Sequence, residues 1–295
     1  MGEITLSATV KRTWNKIQIN WKGYLISILL GAPLVGGGIL MFLPLIWTVS
    51  FSFGLPQEFF ELPPPIIPSA LRLDNYRAVL ERVDFLTFFR NSVIVSASVV
   101  VGQIITCSMA AYAFARLRFP GKNIIFAMFL ASMMVPGQVT LIPNFIIIRE
   151  MGLYNSLGAL IVPGLTNIFG VFLLRQFFET IPDELEDAAK IDGAGFFQIY
   201  WKIMFPLVLP AVATLAILTF NSTWNAFFGP LIFINSQSKM TLPLGMMFLS
   251  NQTGVMSSGI IMAAVVLNLV PVLLVFMIFQ RRLVEGITMT GLKGI

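Results

Sequence analysis

The chain contains no histidine and one cysteine, and charged residues make up only 11% of its 295 positions. Without histidine, Ser-His-Asp and Cys-His arrangements and His-ligated metal sites are excluded, and no metal centre is expected. Cys107 alone cannot close an intrachain disulfide, and its apolar surroundings mark it as a small buried hydrophobe. The scarcity of charge rules out a water-facing surface of ordinary polarity, because soluble domains carry about 25% charged residues. Disorder is ruled out too, since it needs low hydrophobicity with high net charge. A phosphate-binding G-x-x-x-x-G-K-[ST] loop is also missing: Gly121-Lys122 lacks the upstream glycine and a following Ser or Thr.

What the chain has in abundance is apolar surface. Hydrophobic residues reach 57%, with 27 Phe and 15 Met, and the mean hydropathy is +0.85. The relevant unit of length is therefore the bilayer span, about 20 apolar residues for a helix crossing ~30 Å of hydrocarbon. Charge-free runs cover Gly23–Gln57, Asn91–Ala115, Asn123–Ile148, Met151–Leu174, Ile203–Ser238 and Met240–Gln280. They predict an all-α polytopic membrane protein with six helices, near 25–52, 90–115, 123–148, 156–178, 206–232 and 258–280. Residues 1–24 form an N-terminal segment, 25–280 the membrane domain and 281–295 a tail.

Six spans put both ends on one side. That side holds Lys11, Arg12, Lys16, Lys22, Arg116, Arg118, Lys122, Arg175, Lys190, Lys202, Arg281, Arg282 and Lys293, which is 13 of the 19 basic residues. The positive-inside bias makes it the cytoplasm. The net charge of +5 thus records orientation in a membrane and not a nucleic-acid partner. Two outer segments are long enough to carry a role, 53–89 and 233–257. In the first, Leu73–Val83 reads as a short amphipathic helix capped by Asp74. The second reads as a loop rich in Asn, Ser, Gln and Gly. Helix breakers recur within the spans at Pro136-Gly137, Pro143, Pro163-Gly164, Pro206, Pro210, Gly229-Pro230 and Pro271.

The most informative stretch is cytoplasmic and runs from Glu179 to Pro206. Thr180 reads as an N-cap, with Pro182, Asp183, Glu184, Glu186 and Asp187 in the positive first turn. Leu185, Ala188 and Ala189 give a small apolar face, and Asp192-Gly193 breaks the helix where a positive φ is needed. A second short piece carries Phe196, Phe197, Tyr200, Trp201 and Ile203. Docking of another protein and anchoring in the headgroups are equally served by these residues.

The same stretch resembles the EAA loop of ATP-binding-cassette importer permeases. Asp187-Ala188-Ala189 is followed by three residues, Gly193, nine residues, Ile203, Met204 and Phe205-Pro206, with Asp187 standing for Glu and Phe205 for Leu. Asn75-Tyr76, Arg90-Asn91-Ser92, Val135–Pro143, Leu153-Tyr154-Asn155-Ser156, Trp224-Asn225-Ala226-Phe227 and the Gly291–Gly294 tail are similar to the maltose-type, carbohydrate branch. The resemblance implies the type I importer fold and the role of second permease in a heterodimeric pair. Implied partners are a second, non-identical permease, two ATPase subunits that bind ATP and Mg, an extracytoplasmic solute-binding protein and membrane lipid. The chain itself would bind no cofactor and catalyse nothing, and would sit in a bacterial cytoplasmic (inner) membrane. The EAA-like segment, 179–206, is implied to couple to the ATPase through Glu186, Asp187, Ala188, Ala189, Asp192 and Gly193. Gly291, Leu292, Lys293 and Gly294 are implied to reach the ATPases.

Polar residues within spans are the candidates for a solute path, because each is costly in lipid. Asn221, Trp224, Asn225 and Phe228 form a stripe at i, i+3, i+4, i+7 on the fifth span, with Gln103 and Asn268 on others. Interhelical hydrogen bonding is the alternative use. An ion-coupled secondary transporter is the rival reading, but the intramembrane carboxylates and repeats it needs are not seen. A non-sugar solute on the same scaffold is another alternative. Pro206 is the candidate hinge between lever and span.

Overall fold

A computed structural model describes residues 21–55, 58, 65, 67–82, 84–252 and 258–291; of these, side chains are described except at 21–27, 82, 249–252 and 281–291. The elements in chain order begin with α1 (Trp21–Ser52), α2 (Asp74–Arg82), α3 (Phe85–Arg116), α4 (Lys122–Ser132) and α5 (Gly137–Glu150). They continue with α6 (Gly158–Gly164), α7 (Ile168–Phe178), α8 (Glu184–Ile191), α9 (Phe196–Ile199), a π turn at Tyr200–Met204 and α10 (Phe205–Leu207). The chain then forms α11 (Leu209–Trp224), α12 (Phe228–Phe233), α13 (Leu242–Gln252) and α14 (Ser258–Gly291). Four stretches, Ile28–Ser52, Phe85–Arg116, Gly158–Phe178 and Ser258–Gln280, are long and apolar enough to cross a membrane. Counted as one span each, two bent pairs raise the number among the described residues to six: α4 with α5, at 102°, and Phe196–Leu207 with α11, at 75°.

The bends follow proline chemistry. A proline removes its own N–H and crowds the carbonyl four residues earlier, so the helix yields on its N-terminal side. Pro136 sits extended at φ −61, ψ 134 and starts α5. Pro230 yields a break at Asn225–Phe227, so the fifth span is not the continuous helix 206–232 that its charge-free run predicts. The bend near Pro206 falls at Val208, between Pro206 and Pro210. The sixth helix runs on through Gly291, so most of the expected 281–295 tail is helical at the backbone. Leu292–Gly294 lie outside the described residues, as do Pro63, Pro64 and 253–257 of the outer segments.

Other local expectations move by a residue or a turn. Asp74 is the first helical residue of α2, and its carboxylate takes the guanidinium of Arg72 instead of capping. Thr180 closes the preceding helix by donating to Phe177 O at 2.8 Å; α8 begins later, after Asp183. The loop expected at 233–257 holds a helix, α13, with Pro243 in its first turn, where a missing N–H costs nothing.

At the centre lies α3, with α7 and α11 packed along it, and α14 joins α11 to α1 and α2. One apolar cluster, around Cys107, Tyr112, Leu174, Phe178, Tyr200 and Met204, sits at the end predicted to be cytoplasmic. The other, around Val79, Phe88, Trp224, Leu242 and Ala263, sits at the opposite end. Gly245 makes the second possible: a Cβ there would lie 2.1 Å from the Phe88 ring. By contrast, α1 leans on the bundle with its apolar stretch 0% buried.

Candidate functional site

Helix α8 ends in a full glycine cap. Gly193 takes φ +79, its N–H reaches Lys190 O at 3.0 Å, and the Ala194 N–H reaches Ala189 O at 2.9 Å. Both bonds satisfy carbonyls that a helix end leaves orphaned. The helix has two unlike faces. Glu186 and Ala189 turn into the protein, whereas Leu185, Asp187, Ala188, Ile191, Asp192 and Gly193 are exposed. This corrects the face expected from Leu185, Ala188 and Ala189: Ala189 belongs to the buried side, and Ile191, at 87% exposure, joins the outer one. Glu186 likewise lies on the buried side, its side chain only 10% exposed.

The buried side is held by Arg116, the last residue of α3, whose side chain is 7% exposed. Its Nη2 donates to Phe178 O at 2.6 Å and to Ile181 O, and its Nη1 donates to the Asp183 carboxylate. Its Nε faces Glu186 Oε1 at 3.6 Å, too far for a hydrogen bond, and neither atom has a hydrogen-bond partner among the described residues. A fixed cation at the C-terminus of α7 is favoured by the helix dipole. Burial raises the Glu186 carboxyl above its ordinary value, with Arg116 and Lys190 opposing that rise. A polar cavity of about 630 Å³ opens here, lined by Arg116, Arg118, Lys122, Glu179, Asp183 and Glu186 among others. Sequence reading missed Arg116, because its partners lie some 60 residues further along the chain.

The stripe expected on the fifth span is broken. Trp224 is 1% exposed and donates from Nε1 to Asn268 O at 3.1 Å and Oδ1 at 3.0 Å. Asn225 lies past the helix end and bonds back to Asn221 O at 2.9 Å, and Phe228 starts the next helix at 73% exposure. Asn221, Asn225 and Phe228 therefore stay exposed while Trp224 turns away. Gln103 is buried, donating to Gly164 O at 2.8 Å and accepting from Thr219 at 2.7 Å. It closes the gap between α6 and α7, together with Thr106, which donates to Leu165 O at 2.5 Å, and Cys107, which reaches Asn167 O at 3.3 Å.

Residues 103–289 match the family model described as "binding-protein-dependent transport system inner membrane component". The chain belongs to this family. Among relatives of this permease, an arabinooligosaccharides transport system permease protein of Halalkalibacterium halodurans is 36% identical over 77% of the chain and 81% of its own length. A trehalose transport system permease protein of Mycobacterium tuberculosis is 34% identical over 85% and 92%. A diacetylchitobiose uptake system permease protein of Streptomyces coelicolor is 32% identical over 87% and 86%. The fold matches a solved chain of a bacterial ABC transporter involved in import of the polysaccharide alginate, with TM-score 0.79, 24% identity, and 88% and 97% of the two chains covered.

Two of the short motifs in this permease meet at the end of the bundle opposite α8, on a strap formed by 234–242. Asn91 Nδ2 donates to Ser238 O and Met240 O, both at 2.9 Å, and the Leu242 N–H donates to Ser92 Oγ at 2.7 Å. Asn155 holds the strap from the other side. Its Oδ1 accepts from the Asn235 and Ser236 N–H groups, its Nδ2 donates to Ser236 Oγ at 2.8 Å, and its carbonyl accepts Lys239 Nζ. Asn155 does this from a left-handed conformation, φ 56.

Proposed function

We propose that the chain is the transmembrane permease subunit of an ATP-driven, binding-protein-dependent importer for a sugar or oligosaccharide, paired with a second, non-identical permease. Helix α8 carries this reading. It is rooted on one side by Glu186 and Ala189 and offers Leu185, Ala188 and Ile191 outward beside Asp187 and Asp192. Such a small apolar face with acidic flanks suits a cleft between two ATPase subunits. Those subunits would bind ATP and Mg, since this sequence has no phosphate-binding loop. The named solutes of the relatives, arabinooligosaccharides, trehalose and diacetylchitobiose, support a carbohydrate. A second solved neighbour, at TM-score 0.62 and 14% identity, is described as bound to a pentasaccharide-loaded periplasmic protein. That supports an extracytoplasmic partner on the strap side.

In this reading both termini are cytoplasmic, and ATPase closure moves α8 as a lever against the bend at Val208. Asn221, Asn225 and Phe228 then line the path, while Trp224, Gln103 and Asn268 hold its walls. The Gly291–Gly294 tail extends toward the ATPases from the end of α14. The test uses the complex co-purified from native membranes and placed in proteoliposomes. Gly193→Trp, which forces a bulky residue to φ +79, is expected to assemble normally yet hydrolyse ATP without solute uptake. Normal coupling in that variant overturns the lever, and a chain that purifies alone and follows an ion gradient overturns the importer.

A further inference from the structure

Helix α3 touches both regions singled out above. Of its 32 residues none is proline, whereas α1 contains Pro33 and Pro44, and α14 contains Pro271. The third and fifth spans are sharply bent, and the fourth is interrupted at Leu165–Asn167. From Asn91 to Arg116 the helix covers about 37 Å at 1.5 Å per residue, more than the hydrocarbon thickness. Along that length a series of its polar side chains bonds to neighbouring segments. Asn91 and Ser92 hold the outer strap. Gln103 and Thr106 bond to the Gly164 and Leu165 carbonyls where the fourth span breaks, and Cys107 reaches Asn167 O at the start of α7. The Ser108 hydroxyl meets Tyr200 Oη at 2.6 Å beside the π turn. Arg116 grips the root of α8.

We infer that α3 is a stiff strut coupling the seating of the outer strap, 234–242, to the position of the cytoplasmic helix α8, with Asn91 and Arg116 as the positioning residues at its ends. A displacement of α8 pulls on Arg116 through two carbonyls and a carboxylate. A helix without a proline hinge transmits that pull axially, and Asn91 passes it to two strap carbonyls. Because the coupling is a free energy shared by two sites, it works in both directions. This deepens the importer reading by naming the route from the ATPase side to the binding-protein side. The element is continuous and packed, with a gripping side chain at each end.

Hydrogen exchange of the chain in lipid nanodiscs measures this coupling without partners or ATP. Failure here therefore leaves the importer reading intact. Arg116→Ala is expected to speed exchange of peptide 234–246, at the far end, by about fivefold, the low end of typical site-to-site coupling. Asn91→Ala is expected to speed exchange across 179–193 by a similar factor. Should Arg116→Ala fail to fold, Arg116→Lys serves instead, because one ammonium cannot reproduce the planar fork yet keeps the charge. It should give the same far-end effect at smaller amplitude. A purely structural role at each end predicts faster exchange at the substituted end alone. That pattern, in both directions, overturns the strut.

Discussion

Glu186 and Asp187 are neighbours in sequence with opposite surroundings: one is buried against Arg116, the other exposed and paired with Lys190 at 3.0 Å. The exposed pair contributes little to stability. The buried carboxyl stands above its ordinary 4.5, first through loss of solvent, and Asp183 and Asp187 add to the rise while Arg116 and Lys190 oppose it. A carboxyl so raised binds its proton more tightly in the folded segment. Its contribution is complete below the unfolded value and is lost as pH rises through the folded one. Proteolysis of 179–195, normalised to an unstructured reporter, should therefore slow on acidification, and Glu186→Gln should flatten that slope; an unchanged slope would show another group in control. Asn155 gives a second residue-scale test. Glycine keeps its φ of 56 and loses the side-chain bonds, whereas alanine loses the bonds and pays roughly 1–2 kcal/mol for the left-handed backbone. Asn155→Ala should thus melt below Asn155→Gly in detergent, and the reverse order would mean that the backbone is not constrained there. Gly193 was legible in the sequence because a helix end announces itself locally. The contacts of Asn155 and Arg116 were not, since what they hold lies some 60 to 80 residues away.

Spans were legible as elements because lipid forbids charge over a fixed length, and the charge-free runs inherit that length. Their breaks were harder to place. Proline acts on the carbonyl four residues before it, so Pro230 opens the chain at Asn225–Phe227 and not at the Gly229-Pro230 pair itself. The polar stripe on the fifth span divides before that break: Asn221 is exposed and Trp224, three residues on and still within α11, is buried. Helix α13 was read as loop because its polar end, Ser250–Gln252, dominated a short stretch. Its position depends on Gly245 beneath Phe88, where any Cβ intrudes to 2.1 Å. Gly245→Ala should destabilise the outer cluster by about 1–3 kcal/mol, the usual range for overpacking. Adding Phe88→Leu should return part of the loss in a thermal shift assay, and a neutral Gly245→Ala would contradict the packing described.

Across the whole molecule, the single thiol offers a clean measure of orientation. Cys107 is fully buried and bonded to Asn167 O, so the unmodified protein should resist a membrane-impermeant maleimide. Gln237→Cys, on the exposed strap, should label from outside intact cells, and Asp192→Cys only after the membrane is opened. Labelling with the opposite sidedness would invert the assignment made from Lys and Arg. The overall architecture was readable in span number and in the EAA-like spacing, but the central place of α3 was not, because packing partners leave no periodic trace in one chain. The loose attachment of α1 bears on how the protein is made. Its main neighbour, α14, begins at Ser258, long after α1 ends at Ser52. At about 5–20 residues per second, ribosomes take ~10–40 s to synthesise the intervening chain. During that interval α1 must persist in the bilayer without the neighbour that lies along it, tied only at its end, where Ser52 meets Asn75 and Tyr76 of α2. Its composition suits that wait: its apolar stretch needs no protein cover, and the Thr48 hydroxyl is satisfied within the helix by Pro44 O at 2.8 Å.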